Sequence, residues 1–365
     1  MSKKTPFYDR HIALGAKMTD FAGYLMPVSY TGIRQEHLCV RNAVGVFDVS
    51  HMGEFRVEGN NAEAFLQKIT INDVSKIGDG QAQYSAMCYP DGGIVDDLIV
   101  YRFSPKHYML VVNASNIEKD FEWASRHCPG DVLLHNISES IALLAVQGPR
   151  CLEVLQPLTS LVLKDIGFYH FAEGKLAGKS MIISRTGYTG EPGFELYHDP
   201  ADSEKLWDML FRTGAATGIQ AVGLGARDTL RLEMKYALYG NDIDQSTNPL
   251  EAGLGWITKI EKGDFIGREA LLKVQESKPA RRLIAFVMEE RGIPRHGYDV
   301  YCCDACIGQV TSGTMSPSLD IGIGTAYVRS DCAKTGQEIL IDTRGKKLKA
   351  KIVKPPFLDR SPMDL

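Results

Sequence analysis

Two adjacent acids, Asp96 and Asp97, interrupt an apolar run, Ile94-Val-Asp-Asp-Leu-Ile-Val100. Successive side chains of an extended strand leave on opposite faces, so at least one of these carboxylates points toward the interior or a cavity. Burying a carboxylate is costly unless it is paired or does chemical work. The pair is therefore a candidate for acid–base or electrostatic catalysis. The plainer account is one solvent-facing acid beside one satisfied by backbone amides near the strand end.

A second candidate is Arg185-Thr-Gly-Tyr-Thr-Gly-Glu191, which continues to Phe194-Glu195-Leu196. Its glycines allow a sharp backbone excursion, and Tyr188 offers a flat face with a polar tip. A carboxylate at Glu195, set between apolar neighbours, can accept two parallel hydrogen bonds from an amidine-like ligand edge. A turn followed by a half-exposed strand explains the same residues without a ligand. Third is Gly223-Leu-Gly-Ala-Arg-Asp-Thr-Leu-Arg-Leu-Glu233. Arg227, near a helix start, can hold a ligand carboxylate or carbonyl, or can join Asp228, Arg231 and Glu233 in ordinary charge pairs.

Two further features carry less. His51, in Asp48-Val-Ser-His-Met-Gly53, has no nucleophile beside it in a recognised pattern, so a structural histidine is the expectation. The cluster Cys302-Cys-Asp-Ala-Cys306 holds one CxxC, but no second ligand pair follows, and a hairpin turn at Asp304-Ala305 is favoured over zinc. No GxGxxG, Walker A, HExxH or GxSxG pattern is present. Nucleotide-cofactor and serine-hydrolase chemistry thus find no foothold.

The elements that must position these residues alternate irregularly. Tyr84 to Tyr89 and Ile94 to Phe103 read as strands joined by the turn Pro90-Asp-Gly-Gly93. A third strand, His107 to Asn113, precedes a helix expected to start at Ser115, with Glu118 closing a capping box and Ile117, Phe121 and Ala124 facing the core. Two β-rich runs over 132–147 lead to a helix from Arg150 to Leu155. A hairpin is expected over about 169–198, with helices from Ser203 to Thr213 and from Leu224 to Lys235. The polar segment Lys273–Arg281, with Pro279, reads as a boundary, and short strands follow it from Leu283. The expected class is α+β: residues 1–272 as two interleaved lobes, then an all-β barrel domain over 282–358.

Length and charge limit what such a chain does. With 365 residues it exceeds one compact core. Its 41 basic and 45 acidic residues are interspersed, for a net charge of −4, which argues against a nucleic-acid binder. No apolar run is long enough to cross a bilayer. The N-terminal residues Met1 to Pro6 open on polar sequence, so a cytoplasmic protein, or the mature form of an organellar one, is expected.

Taken together, these segments resemble the aminomethyltransferase family, that of the glycine cleavage T-protein. The resemblance is carried by Phe47 to Glu54, Tyr84-Ser85, Gly92 to Tyr101, Val112-Asn-Ala114, Gln147-Gly-Pro149, Arg185 to Glu191 and Gly223 to Glu233. Tyr239-Gly240, Asn248-Pro249, Phe265 to Leu271 and Thr311-Ser-Gly313 continue it in family order across nearly the whole chain. It implies a three-lobed fold with tetrahydrofolate as co-substrate in a central channel, no metal, and a lipoylated H-protein as partner. Asp97 matches the family's essential acid and Glu195 its pterin-reading carboxylate. Tyr84, Asn113 and Tyr188 match pocket positions, Arg227 matches a folate-contacting arginine, and Arg360 is a candidate contact near the C-terminus. Two rivals remain: a folate-dependent demethylase of a small methylated amine, and a non-catalytic folate-binding module. Flavin-dependent oxidases with a related domain carry an extra flavin domain. The assembly factors of the same fold resemble KGCYxGQE where this chain has Arg185 to Glu191.

Overall fold

The Pro90–Gly93 turn folds the chain back because its residues allow little else: Gly92 takes φ +90°, and the Tyr89 amide donates to the Gly93 carbonyl. The computed structural model, which describes residues 2–363, pairs Gln81–Cys88 antiparallel with Ile94–Ser104 across this turn. His107–Val112, Gly53–Gly59 and Val132–Asn136 complete a five-stranded sheet. A six-stranded sheet runs in the order Phe171–Leu176, Lys179–Ser184, Gly193–His198, Ala142–Gln147, Gly45–Asp48, Gln220–Ala221. The chain leaves this sheet after Asp48, builds the five-stranded one, and returns at Ala142.

Strand alternation fills three layers of core. From the five-stranded sheet, Tyr108, Leu110 and Val112 pack under the helices Ala62–Ile69 and Ile117–His127, while Met109 and Val111 face the other sheet. From the six-stranded sheet, Ala142, Leu144 and Val146 pack under the helices Cys151–Leu155 and Ser203–Thr213, while Leu143 and Ala145 face inward. Both sheets are thus apolar on both faces, and their inner faces meet.

Residues 281–353 form a closed six-stranded barrel, and Arg281–Met288 pairs with Lys346–Val353 to seal it. The α+β class with a C-terminal barrel agrees with the sequence reading. A polar seam joins the barrel to the helix Leu224–Glu233. Arg231 reaches Ser312 at 2.9 Å and Asp242 at 2.6 Å. Glu233 accepts from the Ser318 hydroxyl at 2.9 Å and pairs with Arg41 at 2.8 Å.

Four local expectations shift. The helix over Ile117–His127 begins at Ile117, not Ser115, and no side chain caps it; the Asn116 side-chain amide at its start donates to Asp96 at 2.7 Å. Residues 171–198 form three strands, turning first at Ala177-Gly178, with the Arg185 to Glu191 motif as an excursion before the third. The segment read as a boundary is largely the end of a helix, Arg268–Ser277. The cysteine turn falls at Cys303-Asp304, one residue early, where Cys303 takes φ +55° and Cys302 pairs with Ala305.

Candidate active site

Between the sheets, and reaching toward the barrel, lies a cavity of about 650 Å³, a size suited to a drug-sized organic ligand. Asp97, Ile99 and Tyr101 leave their strand on its inner face, and Asp97 stands in the cavity wall. Asp96, Leu98 and Val100 leave on the other face, toward the helix that carries Asp120. The alternation inferred from sequence thus separates the two acids: Asp96 is fully buried, and Asp97 is half-buried in the cavity wall.

Asp97 is held from two sides. The Tyr84 hydroxyl donates to its Oδ2 at 2.9 Å, and the Asn113 side-chain amide donates to its Oδ1 at 2.8 Å. The same Asn113 amide also donates to Asp96 Oδ1 at 2.9 Å, and the Asn113 backbone amide to Asp96 Oδ2 at 3.0 Å. One asparagine therefore locks both carboxylates in register. Burial, and then the negative charge of Asp96, push the Asp97 carboxyl up to about 7. That places its proton within reach near neutral pH. Behind Asp96, the buried Asp120 carboxyl faces the Asp96 carboxyl and has the Lys119 ammonium at 4.0 Å. Burial and Asp96 push Asp120 upward, as two carboxyl groups sharing one proton require.

Glu195 lies on the neighbouring sheet with Tyr197 on the inner face, while Phe194 and Leu196 enter the core behind. It lines the cavity, is 8% exposed, and accepts from the Thr186 hydroxyl. Burial raises its pKa; the Thr186 bond and nearby Arg227 oppose that rise. Thr186 belongs to the glycine-rich excursion. Gly190 there takes φ +79°, and a Cβ would sit 2.4 Å from Met234 Cγ. The excursion brings Tyr188 into the wall, its hydroxyl on the Ala237 carbonyl and its ring 5.7 Å from that of Tyr236.

Arg227 also lines the cavity, with its guanidinium 4.7 Å from the Tyr188 ring centroid. Its companions on the helix do form charge pairs, Arg231 with Asp228 and Asp242, and Glu233 with Arg41. The helix start is close-packed: a Cβ at Gly223 would lie 2.3 Å from the Val28 carbonyl oxygen. Asp97, Tyr84, Asn113, Tyr188, Glu195 and Arg227 therefore meet at one cavity. Arg360 does not join them: its Nε lies 3.7 Å from Glu191, and the nearest wall residues from that segment are Pro355 and Pro356.

Sequence reasoning passed over several wall residues. His51, set aside as structural, is buried in the wall, with Nδ1 lacking a partner among the described residues. Burial, and then Arg227, lower its pKa to about 4, so it is neutral at physiological pH. Trp256 is 63% exposed and stacks on Tyr84 at 6.0 Å, which places it at the mouth. Phe21 comes from a distant segment with no motif to flag it, and Lys235 stands just past the Gly223–Glu233 motif. Only chain folding brings them near Asp97's cavity.

Residues 7–262 match the family model described as the GCVT N-terminal domain, and residues 281–359 match the glycine cleavage T-protein C-terminal barrel domain. The chain belongs to the glycine cleavage T-protein family. An aminomethyltransferase of Bacteroides fragilis is 56% identical over 358 residues, covering 97% of this chain and 99% of that protein. One from Chloroherpeton thalassium is 52% identical over 361 residues, covering 98% and 99%. The solved glycine cleavage system aminomethyltransferase T of Bartonella henselae superposes with a TM-score of 0.93 at 34% identity, covering 99% of each chain. In this T-protein chain Asp97 and the excursion carrying Tyr188 line the same cavity.

Proposed function

We propose that this aminomethyltransferase of the glycine cleavage system moves the methylene carbon of an aminomethyl group, carried on a lipoylated H-protein, to tetrahydrofolate, releasing ammonia. The supporting observation is the half-buried Asp97 carboxyl, fixed by Tyr84 and Asn113 on a cavity wall shared with Glu195. A reduced pterin presents an amino group beside a ring N–H, a donor pair that one carboxylate can accept bidentately. Glu195 is suited to this, and two incoming donors would hold it ionised despite burial. Tyr188, Tyr84 and Arg227 would line the remainder of the ligand, and Arg360 would lie beyond the wall, paired with Glu191.

In the transfer, the carbon loses its bonds to sulfur and to the amino nitrogen and gains bonds to N5 and N10 of the folate. The two folate N–H protons end on sulfur and on ammonia, so atoms and charge balance. Positive charge builds on the carbon as its first bond breaks. A carboxylate at Asp97 stabilises that charge and orients the attacking nitrogen. Positioning alone supplies several kcal/mol. With its pKa raised, Asp97 can also carry a proton between folate nitrogen and departing amine.

The same reading puts the enzyme in the cytoplasm, with units at 1–272 and 282–358. Among the described residues no helix is long and apolar enough to cross a membrane. The deciding experiment measures methylenetetrahydrofolate and ammonia formation with and without aminomethyl-loaded H-protein. Formation that needs the loaded H-protein supports the proposal. Formation from a small methylated amine instead favours a demethylase, and tetrahydrofolate binding without turnover favours a non-catalytic module.

A further inference from the structure

Two unfavourable features converge on Lys235. It stands directly after the helix Leu224–Glu233 with φ +57°, a left-handed backbone that costs a lysine and not a glycine. Its side chain lines the cavity and is half-buried, and burial lowers its pKa. Among the described residues its ammonium has no hydrogen-bond acceptor within 3.5 Å and no carboxylate within 4.0 Å. Asp242, whose charge it does feel, is already saturated by Arg231, Thr311, Thr325 and the Leu238 amide. A strained backbone and a half-buried cation without a countercharge persist only where the surroundings or a ligand support them.

The place on the wall indicates what the ligand offers. Lys235 Nζ lies beside Gly253, 3.3 Å from where a Cβ would stand. The Phe357 amide donates to Glu233 O at 2.9 Å, which brings Pro355 and Pro356 to this part of the wall, and Leu283 is tied to Glu251. This is the barrel side of the cavity. Gly253, Leu283, Pro355 and Pro356 come from segments other than the strands that carry Asp97 and Glu195, so this part of the wall is built apart from both acids. A ligand filling this cavity needs hydrogen-bond donors at one end and an anion at the other.

We propose that Lys235 is an anion-binding position that takes a carboxylate of the bound ligand. This rests on the folate reading, under which that group is a carboxylate of the glutamyl tail. The left-handed backbone is held because it aims the ammonium into the cavity.

The test compares the wild-type enzyme with Lys235→Met and Lys235→Gly, using two probes: tetrahydrofolate and 6-methyltetrahydropterin, which has no tail. The expected result is binding of tetrahydrofolate weakened about tenfold in both variants, as for loss of one charged hydrogen bond, with binding of the tailless pterin unchanged. Without ligand, Lys235→Gly should melt higher than wild type, since strain and a half-buried charge are both removed. A purely structural lysine would lower the melting temperature and leave the two probes equally affected. Wild-type and variant proteins binding tetrahydrofolate equally would overturn the assignment of Lys235 alone. Wild-type enzyme that binds no tetrahydrofolate would instead remove the folate reading, and the glutamyl carboxylate with it.

Discussion

The proposed mechanism gives Asp97 two tasks at once, and its environment predicts how they separate. Asp97→Asn keeps the size and the hydrogen bonds to Tyr84 and Asn113 with a reoriented amide, so tetrahydrofolate affinity should stay within about twofold. Methylene transfer should fall by 10²-fold or more, the scale seen for losing a group that stabilises developing charge. Single-turnover assays at saturating folate check this, and unchanged turnover removes Asp97 from the mechanism. Because burial and Asp96 lift the Asp97 carboxyl to about 7, the ionised form gains population as pH rises through neutrality. The transfer rate in the wild type should therefore climb between about pH 6 and 8, and Asp97→Asn should flatten that limb. Glu195→Ala should act elsewhere, weakening tetrahydrofolate by about 1.5–3 kcal/mol through loss of a charged hydrogen-bond pair. Calorimetric titration reads it directly, and wild-type affinity in that variant would contradict the pterin role.

At the scale of elements, the excursion between Lys179–Ser184 and Gly193–His198 sets the distance from the six-stranded sheet to the cavity. Gly190 holds the excursion because it alone tolerates φ +79° against Met234. Gly190→Ala should cost about 1–3 kcal/mol, from the left-handed backbone and the contact with Met234 together. Urea unfolding measures that loss. Tetrahydrofolate binding should weaken with it, because Tyr188 and Thr186 ride on the same loop. Stability at the wild-type level would show that the loop relaxes freely, and that the glycine is not needed where it stands.

Across the whole molecule, Glu233 fastens three parts to one another. It pairs with Arg41 at 2.8 Å and His37 at 3.1 Å, and it accepts from Ser318 in the barrel. The hydrogen bond and charge of His37, with the charge of Arg41, outweigh the cost of burial and hold its pKa down near about 2. A carboxylate depressed in this way stabilises the fold above its unfolded value near 4.5, and that stability is lost as pH falls toward 2. Glu233→Gln should therefore destabilise the neutral-pH protein by about 3 kcal/mol, for a broken buried ion pair. It should also remove part of the wild-type loss of stability between pH 4.5 and 2. Chemical unfolding across that range tests both, and parallel pH profiles for the two proteins would contradict the assignment.

The strand at Asp97, the turn at Gly92, the helix Ser203–Thr213 and the β-rich C-terminal region were legible in the sequence. Each follows from local chemistry: turn residues, period-two or helical alternation, and glycines where the backbone needs them. Asp97 could be placed on a face, opposite Asp96, because alternation is a property of the strand itself. What local pattern could not supply was company. The helix starts at Ile117 after Asn116, which is anchored to Asp96, a carboxylate from a strand twenty residues earlier that the local Ser115–Glu118 pattern could not reveal. His51, Trp256, Phe21 and Lys235 line the cavity only because two sheets turn their inner faces together and a barrel closes one side. Sequence determined which residues could carry charge and which way each strand presents them. Tertiary structure decided which charges meet and which are left uncompensated, since desolvation and Coulomb energies depend on neighbours brought in from the rest of the chain.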